Sequence, residues 1–320
     1  PRVVAWRRHI HENAELSYQE EQTAAYVADA LRAMPGIVVR TGIAKTGIKA
    51  VLRGSKPGPV IALRADMDAL PVEERNDLPF RSKAKAMWQG KETPVMHACG
   101  HDTHVAMLLG AAEVLSKMRA DLPGTVVFLF QPAEEGGGQD SPSGAARMIA
   151  EGVMDNPKVE AVFGQHIAAG HPGGSIGWRK GGTLASGDAF YITVKGQGGH
   201  GAMPWLSKDP IVGAAQIVVA LQTIVSREVN LPSGAAVVTV GQISGGNRNN
   251  IIPESATLSG TIRTFTDDTR KLTTEAVERV AKRTAEAYGL TAEVRIERGY
   301  GVTSNNAELT GRMVAALERA

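Results

Sequence analysis

Apolar positions Val4, Leu16, Tyr26, Val27 and Leu31 recur among Arg, Glu and Gln over residues 3–31, and Pro35-Gly36 ends the run. This pattern predicts helices interrupted near 13–17. Two short apolar runs follow, 48–52 and 60–63, with turn residues 54–59 between them; they predict a pair of adjacent strands. Residues 105–118 are apolar and Ala-rich, which predicts a helix with Asp102 placed to cap it and Pro123-Gly124 breaking it. The unbroken β-branched and aromatic run 125–130 has the composition of a strand buried on both faces of a parallel sheet. A helix over 143–151, stopped by Gly152, and a second buried strand over 159–163 come next. This alternation predicts an α/β, doubly wound domain, in which the carboxyl ends of parallel strands open on one edge.

Glycine is dense from 170 to 182 and Pro172 lies within that stretch, which predicts a linker. Beyond it the pattern changes. Strands are predicted over 190–194, 236–243, 257–265 and 291–297. Helices are predicted from Asp209-Pro210, an N-cap with proline at the first helical position, to 228, and over 266–288. The order β, α, β, β, α, β is that of a ferredoxin-like α+β domain. A last helix is expected still to be running at Ala320. The expected division is 1–181 plus 298–320 for the first domain and 182–297 for the inserted one.

The 320-residue length agrees with two domains. With 43% hydrophobic and 21% charged residues the composition is that of a globular chain. A net charge of +2 without basic runs interleaved with aromatics argues against a nucleic-acid partner. No apolar run approaches the ~20 residues that cross a bilayer, so no membrane is expected. The single cysteine excludes an internal disulfide and is compatible with a reducing, cytoplasmic setting. The chain opens on Pro1, so any targeting segment is expected to have been removed or never included.

That cysteine lies in the densest chemistry of the chain, His97-Ala98-Cys99-Gly100-His101-Asp102-Thr103-His104. Thiolate and imidazole are transition-metal ligands, and Cys99 and His101 can share an ion if the backbone turns at Gly100. Three predicted strand ends add Asp66 with Asp68, Glu134 with Glu135, and His166. Asp66 and Asp68 are two apart and leave a strand on one side, whereas the adjacent glutamates point apart. One glutamate is then free to move protons while the other ligates; the base is assigned to Glu134 and the ligand role to Glu135. Any one of these residues could be structural, but all of them fall on the same predicted rim.

Several segments together resemble a family of metal-dependent amidohydrolases that includes hippurate hydrolase, N-acyl-amino-acid hydrolases and auxin-conjugate hydrolases, relatives of aminoacylase and carboxypeptidase G. They are Arg7-Arg8 with His11 and Glu15-Leu16; Arg64-Ala65-Asp66-Met67-Asp68-Ala69-Leu70-Pro71; His97 to Asp102 with His104; Gln131-Pro132-Ala133-Glu134-Glu135-Gly136; Gly164 and His166; Gly198-Gly199-His200-Gly201-Ala202 with Pro204; and Asn250-Ile251-Ile252-Pro253 with Gly260-Thr261 and Arg263-Thr264-Phe265. The resemblance implies a site for two divalent ions (Mn, Zn, Co or Ni) with Cys99, His101, Glu135 and His166 as ligands, Glu134 as general base and Asp68 orienting the site. It further implies that residues 182–297 form a lid that joins two copies into a homodimer. His200 would reach the partner's site to stabilise the oxyanion, and Asn250 and Arg263 would hold the carboxylate of an N-acyl amino acid. The family also carries a ligating histidine in a later segment. The last histidine here is His200, so the chain is expected to be a fragment or a short member. Trp205 stands where the family usually has His, and the loop from Gly136 to Ser143 is longer than usual.

Two readings compete with amide hydrolysis. One is a metal-binding, catalytically impaired dimer; the other is a thiol redox protein, which has no second cysteine to resolve an oxidised Cys99.

Overall fold

The computed structural model describes residues 1–136, 143–230, 232 and 234–319, so the long-loop expectation for Gly136 to Ser143 lies largely outside the described residues. The chain forms two compact units, Pro1–His171 and Pro172–Ala320.

The first unit opens with helices α1 (Arg2–Glu12) and α2 (Glu21–Arg32), then strands β1 (Ile37–Ile43), β2 (Gly47–Arg53) and β3 (Lys56–Asp66). A hairpin of β4 (Lys85–Trp88) and β5 (Lys91–Pro94) precedes α3 (His101–Lys117), β6 (Pro123–Gln131), α4 (Gly144–Ala150) and β7 (Ala161–Gly164). The five-stranded sheet has the order β1-β2-β6-β3-β7. Its β3, β6 and β7 are mutually parallel, while β1 and β2 run antiparallel. Residues 48–52 and 60–63 are therefore not adjacent as expected, because β6 lies between them. Alternate residues of β6 explain why. Val126, Phe128 and Phe130 pack with Ile10, Val27, Leu31, Val105 and Leu109 under α1–α3. Val127 and Leu129 pack with Ala62, Met148 and Val153 under α4. A strand buried on both faces belongs in the middle of a sheet covered on both sides.

Two further expectations need correction. The strand expected at 159–163 is the edge strand β7, and Val162 is exposed rather than buried. Asp102 does not cap α3. The helix starts at His101 behind Gly100 at φ 89°, and the Asp102 carboxylate turns to Arg7 and His11 instead.

In the second unit β8 (Gly181–Leu184) pairs with the late β15 (Thr303–Asn305). The four-stranded antiparallel sheet consists of β9 (Asp188–Lys195), β11 (Ala236–Gly245), β13 (Ser255–Thr264) and β14 (Thr291–Arg298), in the order β11-β13-β9-β14. Helices α5 (Pro210–Thr223) and α6 (Asp267–Ala287) cover one face, where Phe190, Ile192 and Val194 meet Ala214, Ile217, Leu221, Val277 and Ala281. This is the split β-α-β-β-α-β arrangement. Asp209 caps α5 by accepting from the Ile211 N–H (2.9 Å), and Thr266 caps α6 through the Thr269 N–H (3.1 Å). A short ladder of β10 (Gly199–His200) with β12 (Ile251–Ile252) stands apart, and the last helix, α7 (Ala307–Leu317), stops before Ala320, which is outside the described residues.

Residues Pro210–Glu228, which run from α5 through a π-helical turn, form a 19-residue helix with a mean hydropathy of 1.4, long and apolar enough to cross a membrane by length and composition. The sequence expectation of no such run is thus corrected, although Ala214, Ile217 and Leu221 spend their apolar surface on the sheet. Residues 298–320, expected with the first domain, belong to the second compact unit, held there in part by the β8–β15 pairing.

Candidate metal centre and active site

Strand register brings the candidate residues of the first unit together. Asp66 on β3 lies opposite Gln131 on the parallel β6, and Arg64 lies opposite Gly164 on β7. The residues just beyond these pairs, Asp68, Glu134–Glu135 and His166, therefore leave the sheet at one level.

Asp68 fastens this edge. Its Oδ1 accepts from the Glu134 N–H (3.0 Å), and its Oδ2 accepts from the Glu135 N–H (3.0 Å) and from Ser17 Oγ (2.6 Å). The charge is fully buried, and the donors outweigh the burial to hold its carboxyl below the usual range. The turn it grips is strained, with Ala133 at φ 46°. Glu20 accepts from the Ala133 N–H (2.9 Å) and from Thr46 Oγ1 (2.6 Å), and burial pushes its own carboxyl up.

His101 Nδ1–H donates to the Asp68 carbonyl oxygen (2.7 Å), which leaves Nε2 facing the rim. Nε2 is buried and, among the described residues, has no hydrogen-bond partner. Around it lie Asp66 Oδ2 at 3.8 Å, Glu134 Oε2 at 3.9 Å and Glu135 Oε1 at 4.0 Å. Burial lowers the His101 pKa, but the bond to Asp68, the adjacent Cys99 thiol and the charges of Asp66 and Asp68 overcome it and lift the value to about 11. The position is thus tuned for positive charge, whether a proton or a metal cation. His166 is arranged alike, with Nδ1–H donating to the Ile167 carbonyl (2.6 Å) and Nε2 at 3.3 Å from Cys99 Sγ.

One ligand atom each from Cys99, His101 and His166 lies within 4.8 Å of the other two, and the same holds for His101, Glu134 and Glu135. His101 belongs to both groups. Two imidazoles with Nδ1 tied to a carbonyl and Nε2 presented, a thiol and two carboxylates make a donor set that fits divalent metal ions. A third close group, Asp66, His101 and His104, does not. His104 donates Nδ1–H to Asp66 Oδ1 (2.6 Å) and accepts the Ile167 N–H at Nε2 (2.8 Å), so neither nitrogen is available.

Glu134 differs from its neighbours. Burial, then the charges of Asp66 and Glu135, push its carboxyl up, which suits a group that must both take and return a proton.

Two residues with roles here were quoted as motif members without an assignment. Asp66 is buried and bridges Arg64 (2.6 Å) and His104. Its i, i+2 relation to Asp68 was the available signal, as was the i, i+3 relation of His101 to His104 on α3. For Ser17 and Glu20 no signal existed.

His200 and Asn250 lie in the second unit, where both line a cavity of about 800 Å³ with Arg248 and Glu254. His200 Nδ1 accepts the Ala202 N–H (3.1 Å), so Nε2 carries the proton as a donor. Arg263 is not in this cavity; its guanidinium bonds Thr261 Oγ1 and the Ile262 carbonyl. Trp205 is 75% exposed in the 3-10 turn Pro204–Leu206.

Residues 62–320 match the profile of peptidase family M20/M25/M40. The chain belongs to this family. Relatives include thermostable carboxypeptidase 2 of Saccharolobus solfataricus, 44% identical over 98% of this chain and 77% of that protein. The N-acyl-L-amino acid amidohydrolase of Geobacillus stearothermophilus is 43% identical over 93% of this chain and 76% of its own length. Among solved structures, the Bacillus subtilis YXEP protein, described as a dinuclear metal binding peptidase from the M20 family, superposes with a TM-score of 0.82. It is 36% identical, with 99% of this chain and 79% of that one covered. Membership in M20 makes the chain a hydrolase of the amidohydrolase and peptidase type, with a mixed α/β fold and groups able to hold metal.

Proposed function

We propose that this M20-family protein hydrolyses the amide bond of N-acyl amino acids to a carboxylic acid and a free amino acid, using two divalent ions. Zn, Mn, Co and Ni all suit a set of thiol, imidazole and carboxylate donors. Cys99, His101, Glu135 and His166 would hold the ions, which when bound supply Lewis acidity toward the carbonyl and acidify water.

The geometry supports the following part for the protein's own residues. Glu134 removes the proton of the attacking water and delivers it to the leaving amine nitrogen. Asp68 keeps Glu134 and Glu135 in place through their backbone N–H groups and fixes the ring of His101. His200 Nε2–H would donate to the developing oxyanion, and residues 182–297 would join a homodimer; Asn250, in the cavity of His200, and Arg263, which lies outside that cavity, would bind the substrate carboxylate from different copies. The exposed Val237 and Ile243 on edge strand β11 favour that contact. The reading places the enzyme in the cytoplasm, where Cys99 stays a thiol.

One observation carries the proposal: the buried Nε2 of His101, without a hydrogen-bond partner among the described residues, with three carboxylates about 4 Å away and Cys99 and His166 alongside. Glu134→Ala is expected to lower kcat on N-acetyl- and N-benzoyl-amino acids by ~10² or more while metal content is retained. A variant that keeps most of its activity removes the assignment.

A further inference from the structure

His166 sits on a segment with no secondary structure, just past edge strand β7, and is exposed. Neither helix nor ladder fixes its ring, yet ligand geometry tolerates little error. What holds it is its neighbour. The Ile167 carbonyl accepts from His166 Nδ1–H (2.6 Å), and the Ile167 N–H donates to His104 Nε2 (2.8 Å). The His104 ring is held in turn by its Nδ1–H bond to the buried Asp66 (2.6 Å) and crosses the His166 ring edge-on, with centroids 4.6 Å apart. The side chain of Ile167 is seated as well, because Gly100, at φ 89°, leaves room where a Cβ would meet Ile167 Cγ2 at 2.4 Å.

We propose that His104 is a positioning residue for the metal centre: the relay Asp66–His104–Ile167, with Ile167 docked on Gly100, aims His166 Nε2 at the ion it shares with Cys99. The inference rests on the hydrolase reading of the same site only in taking His166 as a ligand. It also explains a histidine that stands among ligand-type residues without being one. A histidine that donates at Nδ1 and accepts at Nε2 is committed to the relay.

Isothermal titration of Co²⁺ into the chelator-stripped full chain tests this, with the thiolate-to-cobalt absorption band reporting the ion at Cys99. His104→Phe keeps an aromatic ring but abolishes both hydrogen bonds. It is expected to weaken binding of that ion about 10- to 100-fold and diminish the band. His104→Gln can still donate to Asp66 and accept from Ile167, and is expected to recover most of the affinity, which a role in packing alone would not allow. Ile167→Ala leaves His104, the turn at Gly100 and the backbone groups of the relay intact but removes the docked side chain, and should weaken the same ion even if His104→Phe proves too unstable to titrate. Wild-type Co²⁺ affinity in His104→Phe or in Ile167→Ala, or a His104→Gln variant as weak as His104→Phe, overturns the proposal. Wild-type turnover of N-acyl amino acids is assayed separately. Its absence with Co²⁺ bound would count against the hydrolase reading and leave the relay standing.

Discussion

His11 is clasped between two buried carboxylates, with Nδ1 at 2.9 Å from Asp102 Oδ2 and Nε2 at 2.9 Å from Glu74 Oε1. Arg7, one turn earlier on α1, shares Asp102 at 2.7 Å. The hydrogen bond to Asp102 raises the His11 pKa against the opposing effect of burial, and Glu74 adds to the rise. Two cations and two anions thus cancel behind the first turn of α3. Nearby His97 is buried without a partner among the described residues, and burial pushes it down to about 4. Because folding raises the pKa of His11, its contribution is complete below the unfolded value near 6.5 and is lost as pH rises through the higher folded value. His11→Ala strands two buried carboxylates and is expected to cost about 3–5 kcal/mol at pH 6. In urea titrations the gap from wild type should narrow as rising pH removes the His11 proton; a gap that stays constant at every pH would rule out a charged His11. By contrast His9, two positions earlier, stacks on Tyr26 at 3.9 Å. The alternation of helical faces separated the two histidines in the sequence, but only packing showed which one had buried partners.

At the scale of elements, the decisive feature is the turn after β6. Ala133 at φ 46° reverses the chain so that Glu134 and Glu135 meet Asp68, and the Ala133 carbonyl accepts from the Gly144 N–H (3.1 Å) at the start of α4. Gly144 is there because nothing larger fits: a Cβ would lie 1.6 Å from the Pro132 carbonyl oxygen. Gly144→Ala must therefore move either the turn or the helix. We expect a loss of about 1–3 kcal/mol in thermal or urea unfolding, together with reduced activity. A substitution that leaves both unchanged would show that the turn is not braced by α4. The helix itself was legible, since Ser143 before a short apolar run with Gly152 beyond it is a start and stop pattern. The backbone strain at Ala133 was not, because alanine carries no signal for a positive φ.

For the whole molecule, two compact units with separate hydrophobic clusters predict separable unfolding. The candidate ligands all lie in residues 1–171. Calorimetry on chelator-treated protein should thus show two transitions, and added metal should raise only the one assigned to 1–171, by about 2.7 kcal/mol at 100 times the Kd. A metal-dependent rise in both, or in neither, contradicts that placement.

Periodicity and turn chemistry by themselves determined most of the elements and the two folding classes, and the residue types at the predicted strand ends marked the candidate metal ligands. Phe128 and Phe130 could only belong to a central strand, and Asp209-Pro210 could only begin a helix, because local sterics and burial act within a few residues. Which strands are neighbours, that Asp102 serves Arg7 and His11 rather than a helix end, and that His104 is spent on Asp66 and Ile167 were decided by tertiary structure alone. These partners lie tens of residues apart, and no local rule selects one buried counter-charge over another until register and packing bring them within 3 Å.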